Sequence, residues 1–126
     1  MLEILKSKIH RATVTDANVD YAGSITIDSE LLEHADMMVY EKVLVVSIDS
    51  GERLETYIIE GERGAGEIVL NGAAAKKIFK GDKIIIMSFM NIEKEEAKKH
   101  RPKIVLVDSN NKILREEDHL EPDDQC

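Results

Sequence analysis

The sequence predicts a small β-barrel carrying two or three short helices. Three observations lead there. About seven short segments read as strands, rich in Ile, Val and Thr and separated by Gly, Asn and Asp. The helical segments are short and do not alternate with the strands, which argues against a doubly wound parallel sheet. The length of 126 residues suits one domain with one modest core.

Leu2 to Val14 mixes apolar and polar residues, with β-branched Ile4, Ile9, Thr13 and Val14, and is read as strand. Thr15 to Asp20 has loop composition, and Tyr21-Ala22-Gly23-Ser24 a turn, followed by a short strand at Ile25 to Ile27. Asp28 is placed to cap a helix with Glu30 in its first turn and an apolar face of Leu31, Leu32 and Ala35. Lys42 to Ile48 and Arg53 to Glu60, joined by Asp49-Ser50-Gly51-Glu52, form a hairpin.

Gly61 to Gly66 holds three glycines, but no further glycine follows at dinucleotide-loop spacing, and the strand-like Ile68-Val69-Leu70 follows where a helix is needed. That motif is rejected. Asn71 is expected to cap a short helix beginning Gly72-Ala73-Ala74-Ala75. After Gly81-Asp82 comes the strand Lys83 to Met90. Asn91 is expected to cap a helix over Glu93 to His100, its acids first and bases last, with Pro102 beyond it. Lys103 to Val107 and Lys112 to Arg115 are the last strands. The domain is expected over residues 1–115, with 116–126 a flexible acidic tail.

Composition excludes several classes. Apolar residues are 43% and charged residues 33%, as in a globular protein. With no Trp, two Phe and three Tyr, the core falls to aliphatic residues. The formal net charge of -8 disfavours nucleic acid or an anionic membrane as main partner. One cysteine, Cys126, permits no disulfide framework within the chain. His10, His34, His100 and His119 have no ligand-like spacing, so no metal is expected. Charged residues near the N-terminus rule out a signal-peptide core, and no apolar run is long enough to cross a bilayer; a cytoplasmic protein is expected.

Taken alone, Gly23-Ser24 is an ordinary turn signal. Three polar stretches accompany it: Lys8-Ile9-His10-Arg11, then Arg53 with Thr56 and Tyr57, then Asn71-Gly72-Ala73-Ala74-Ala75. Each also has a plain reading as surface charge, strand former, cap or close-packing helix. In a regular strand Arg53 and Tyr57 share a face about 13 Å apart while Thr56 points the other way, so a bend or a subunit junction is needed for one site to use all three.

In their order and spacing, these stretches together with Tyr21-Ala22-Gly23-Ser24, Glu62-Arg63-Gly64, Gly81-Asp82 and Arg101-Pro102 resemble the pyruvoyl-dependent aspartate 1-decarboxylase family. The resemblance runs from about Leu5 to Pro102. It implies a double-psi β-barrel, assembled as a homotetramer with sites between subunits. It also implies autocatalytic cleavage between Gly23 and Ser24, through attack of the Ser24 hydroxyl on the Gly23 carbonyl, with Thr56 contacting the oxyanion. Ser24 then becomes a covalent pyruvoyl group, and no pyridoxal phosphate or metal is called for.

The implied reaction is decarboxylation of L-aspartate to β-alanine for pantothenate and coenzyme A, with the pyruvoyl ketone as electron sink through a Schiff base. By the same resemblance Tyr57 is the proton donor, and Lys8, Arg53, Thr56, Asn71, Gly72, Ala73 and Ala74 bind substrate, with His10 and Tyr21 in support. A maturation factor is a further partner such a cleavage leaves room for. The rival readings are a non-enzymatic barrel that binds a partner with its chain intact, and a hydrolase using Ser24 as nucleophile.

Overall fold

A computed structural model of the chain describes residues 1–120. The protein is mainly β. Nine strands, β1 (Leu2–Thr13), β2 (Asp16–Asn18), β3 (Ser24–Asp28), β4 (Lys42–Ser47), β5 (Arg53–Gly61), β6 (Ile68–Asn71), β7 (Lys83–Ile92), β8 (Lys103–Val107) and β9 (Ile113–Glu117), form one sheet. Its order is β2-β6-β3-β5-β4-β7-β1-β8-β9. The helices are α1 (Ser29–Ala35), α2 (Lys94–Ala97) and a single 3-10 turn at Gly72–Lys76.

The connection between β1 and β2 makes the sheet curl. These strands are seventh and first in the order, yet only Val14 and Thr15 join them. A flat sheet would hold them about 29 Å apart at ~4.8 Å per strand, whereas three Cα steps reach at most about 11 Å. Backbone bonds fasten the junction on both sides: Val14 N donates to Asp82 O and Thr15 N to Ile68 O, at 2.9 and 2.8 Å. Three parallel pairings, β1 with β8, β2 with β6 and β3 with β5, interrupt an otherwise antiparallel ladder, consistent with a small double-psi β-barrel.

One cluster of aliphatic side chains fills the interior, including Ile9, Ile25, Ile27, Ile58, Ile68 and Ile86, all fully buried. Each contributes roughly 1.5–3 kcal/mol relative to leaving it in water. Leu31, Leu32 and Ala35 seal α1 against it, and the Asp28 carboxylate caps that helix by accepting from Glu30 N at 2.8 Å. The same carboxylate accepts from Gly64 N at 3.0 Å and Gly66 N at 2.8 Å, which is what the glycine-rich loop serves.

Some elements differ from expectation. The Thr15–Asp20 loop contains β2, a three-residue edge strand pairing with β6. Asn91 lies within β7, and α2 begins after Glu93 and runs only four residues. It buries none of its residues, and so short a helix gains little without an apolar face to pack. The expected tail, 116–126, begins inside β9: Glu116 and Glu117 pair with Val105 and Ile104. Residues 121–126, including Cys126, lie outside the described residues. No helix among the described residues is long and apolar enough to cross a membrane.

Candidate active site around Ser24

Ser24 opens β3 and is 3% exposed. Its direct partner on the antiparallel neighbour β6 is Asn71. Asn71 Nδ2 donates to Ser24 Oγ at 2.9 Å and to Thr26 Oγ1 at 3.0 Å, and the Ser24 hydroxyl donates to Ala22 O at 3.3 Å. Asn71 does precede the 3-10 turn, but its side chain makes no cap hydrogen bond. The expectation of a capping Asn71 is therefore corrected: both amide hydrogens go to hydroxyls on β3.

Beside β3 on its other edge runs β5, in parallel register from Ile25 with Ile58. Continued one and two residues back, that register brings Ser24 alongside Tyr57 and Gly23 alongside Thr56. Tyr57 lines two adjoining cavities. One, of about 430 Å³, is also lined by Gly23, Thr56, Ala73 and Ala74. The other, of about 490 Å³, is lined by Ser24, Tyr21, Asn71, Thr26, Asp16 and Glu67 among others. Tyr57 is 36% exposed.

Gly72 meets the cut-site segment directly. It has a φ of +69°, and a Cβ there would come within 2.7 Å of Gly23 Cα, Gly23 N and Tyr21 O. Gly23 itself is not at positive φ, and a Cβ added to it would meet nothing within 4 Å. The glycine demanded by close approach is Gly72, across the gap from the bond expected to be cut.

The remaining expected residues stand apart. Lys8 and His10, on β1, are 8% and 5% exposed, so neither is a plain surface charge. Through the pairings His10–Ile85, Ile85–Val46 and Val46–Arg53, His10 and Arg53 share one face of the sheet. They lie three strands apart, roughly 14 Å at the usual spacing. From β3 to β1 is four strands. A single chain thus gathers Gly23, Ser24, Thr56, Tyr57, Asn71, Gly72, Ala73 and Ala74 with Tyr21, and leaves Lys8, His10 and Arg53 outside both cavities.

Sequence reasoning overlooked Thr26, the second partner of Asn71. Its signal was present, since residues two apart on a strand share a face and Thr26 lies two beyond Ser24. Tyr40, whose ring centroid is 6.4 Å from that of Tyr57, left no signal, because it belongs to an irregular turn.

The family model for aspartate decarboxylase matches residues 1–114. The chain belongs to the aspartate decarboxylase family. Among its relatives, the aspartate 1-decarboxylase of Caldicellulosiruptor saccharolyticus is 59% identical over 96% of this chain and 97% of the relative. That of Acetivibrio thermocellus is 57% identical over 95% and 98%, and that of Clostridium kluyveri 55% over 94% and 93%. For an aspartate decarboxylase family member, the surroundings of Ser24 provide a buried hydroxyl, an amide donor and an adjoining phenol beside open space.

Proposed function

We infer that the protein cuts its own chain between Gly23 and Ser24 and then decarboxylates L-aspartate to β-alanine and CO₂, a step in the supply of pantothenate and coenzyme A. Family membership supports the reaction. The observation that carries the assignment to Ser24 is its buried hydroxyl, tied to Asn71 at 2.9 Å and set beside Tyr57.

Cleavage begins when Ser24 Oγ adds to the Gly23 carbonyl carbon. The C–N bond then breaks, leaving an ester on Oγ and a free Ser24 amine. Loss of the Ser24 Cα proton expels the Gly23 carboxylate from Cβ. Water replaces the nitrogen of the resulting dehydroalanine, ammonia leaves, and a pyruvoyl group remains. Thr56, lining the cavity that Gly23 lines, is assigned to the oxyanion of the first step, where a fixed donor is worth most.

The residues around Ser24 fit such a group: Ser24 Oγ departs with the Gly23 carboxylate, which would free Asn71 Nδ2 as a donor to the pyruvoyl group, and the cavity that Ser24 lines gives room for a small amino acid. The pyruvoyl group supplies an electrophilic carbonyl that accepts the substrate amine and takes up the electron pair CO₂ leaves behind. Tyr57 delivers the proton to Cα. Asn71, Gly72, Ala73 and Ala74 bound the substrate, and Tyr21 shapes the approach. Arg53 and Lys8 hold its carboxylates, Arg53 with two-point geometry, and His10 has a supporting part.

That Lys8, His10 and Arg53 line neither cavity supports a site completed by another copy of the chain, as in a homotetramer with its sites between subunits. In the test, purified protein with L-aspartate yields β-alanine and CO₂, and borohydride added with aspartate abolishes turnover. Failure to form β-alanine by a fully cleaved sample would overturn the assignment of the substrate.

A further inference from the structure

The turn between α1 and β4 is pinned by Glu41. Its carboxylate accepts from Lys6 Nζ at 2.8 Å, from Met38 N at 3.1 Å and from the Ser88 hydroxyl. Burial alone would push this carboxyl up, but those three donors outweigh it and hold it below the ordinary glutamate value. Two backbone bonds fasten the turn to β5 next to Tyr57: Tyr40 N donates to Ile58 O at 2.8 Å, and Ile58 N to Glu41 O at 3.1 Å.

Within this turn Tyr40 has a φ of +72°. There Cβ crowds the following carbonyl, and bulky residues seldom occupy the region. Burial does not hold it there, since Tyr40 is 76% exposed. What its ring meets is Tyr57, at a centroid separation of 6.4 Å and an interplanar angle of 43°, within the range of favourable aromatic pairs. A strained backbone, doubly anchored, thus presents a ring to the residue assigned as proton donor.

We propose that Tyr40 is a positioning residue for Tyr57, limiting the swing of its ring so that the phenol stays at the junction of the two cavities. The proposal rests on the reading of Tyr57 as donor.

Three variants test it: Tyr40→Asn, Tyr40→Phe and Tyr57→Phe. Asn tolerates the left-handed region better than Tyr. Tyr40→Asn should therefore keep or raise the thermal midpoint while lowering kcat by about two- to tenfold, the worth of an aromatic pair, with KM less affected. Tyr40→Phe keeps the ring and should restore kcat. Self-cleavage, followed by intact mass, should proceed alike in all three. In an uncut Ser24→Ala background, adding Tyr40→Asn should shift the Tyr57 ring resonances in NMR spectra.

Parent kcat in Tyr40→Asn, with turnover lost in Tyr57→Phe, would overturn the proposal, as would a Tyr40→Phe variant as slow as Tyr40→Asn. Parent turnover in Tyr57→Phe would overturn the reading of Tyr57 as donor and with it the purpose assigned to Tyr40.

Discussion

The side-chain amide of Asn71 lies 2.9 Å from the hydroxyl oxygen of Ser24, and the two residues are also direct partners on neighbouring antiparallel strands. Backbone pairing sets the distance, and Thr26 Oγ1 at 3.0 Å takes the second amide hydrogen. Removing the amide frees the Ser24 hydroxyl to rotate. Asn71→Ala is expected to slow self-cleavage by roughly five- to tenfold, the worth of one hydrogen bond, as read from the decay of precursor on denaturing gels.

A methyl group on Gly72 would meet Gly23 and Tyr21 at 2.7 Å. Gly72→Ala should cost about 1–2 kcal/mol through its left-handed backbone alone, and should leave uncut precursor by pushing residues 21–23 aside. Gly23→Ala meets no neighbour, so its precursor should match the parent's stability within about 0.5 kcal/mol. Denaturant melts of the two precursors, purified before cleavage, check the contrast.

Tyr57→Phe keeps the ring beside Tyr40 and removes only the phenol hydroxyl. Cleavage should run normally, while kcat should fall by about 10²–10⁴, the usual worth of a positioned proton donor. A variant that turns over at the parent rate would show that Tyr57 is not the acid.

Asp28 contributes to stability in acid. Burial pushes its carboxyl up, but N–H donors from Gly64, Gly66 and Glu30, with Lys112 nearby, hold it below the ordinary value. Its contribution is therefore complete above about pH 4, the unfolded-state value, and is lost as pH falls through the lowered native value. Asp28→Asn should cost about 1–3 kcal/mol at neutral pH by leaving a buried donor unpaired. It should also flatten the decline of stability with acid, measured by thermal melts between pH 3 and 7.

Long strands were legible because their aliphatic residues must enter a core; β1, β4, β5 and β7 all fall where the pattern put them. β2 was hidden, since three residues including Asp and Asn read as a loop until β6 supplies a partner. At the site, Ser24, Thr56, Tyr57 and Asn71 were singled out through resemblance, while the direction of the Asn71 side chain was not foreseen. Its position before a helix suggests a cap, and only the pairing of β3 with β6 reveals a nearer pair of hydroxyls. Tyr40 escaped because its conformation is imposed by Glu41 and Ile58, both anchored elsewhere in the fold. The burial of Lys8 and His10 escaped for a similar reason, since charged strand residues read as a solvated face until the sheet is assembled.

Self-cleavage at Ser24 underlies every catalytic role assigned here, and the intact mass of the purified protein tests it most directly. Two chains are expected, one ending at Gly23 and one beginning with a pyruvoyl group in place of Ser24, while Ser24→Ala gives a single uncut chain. A parent protein that keeps the mass of the full 126-residue chain after prolonged incubation, or a Ser24→Ala protein that is cut, would contradict it.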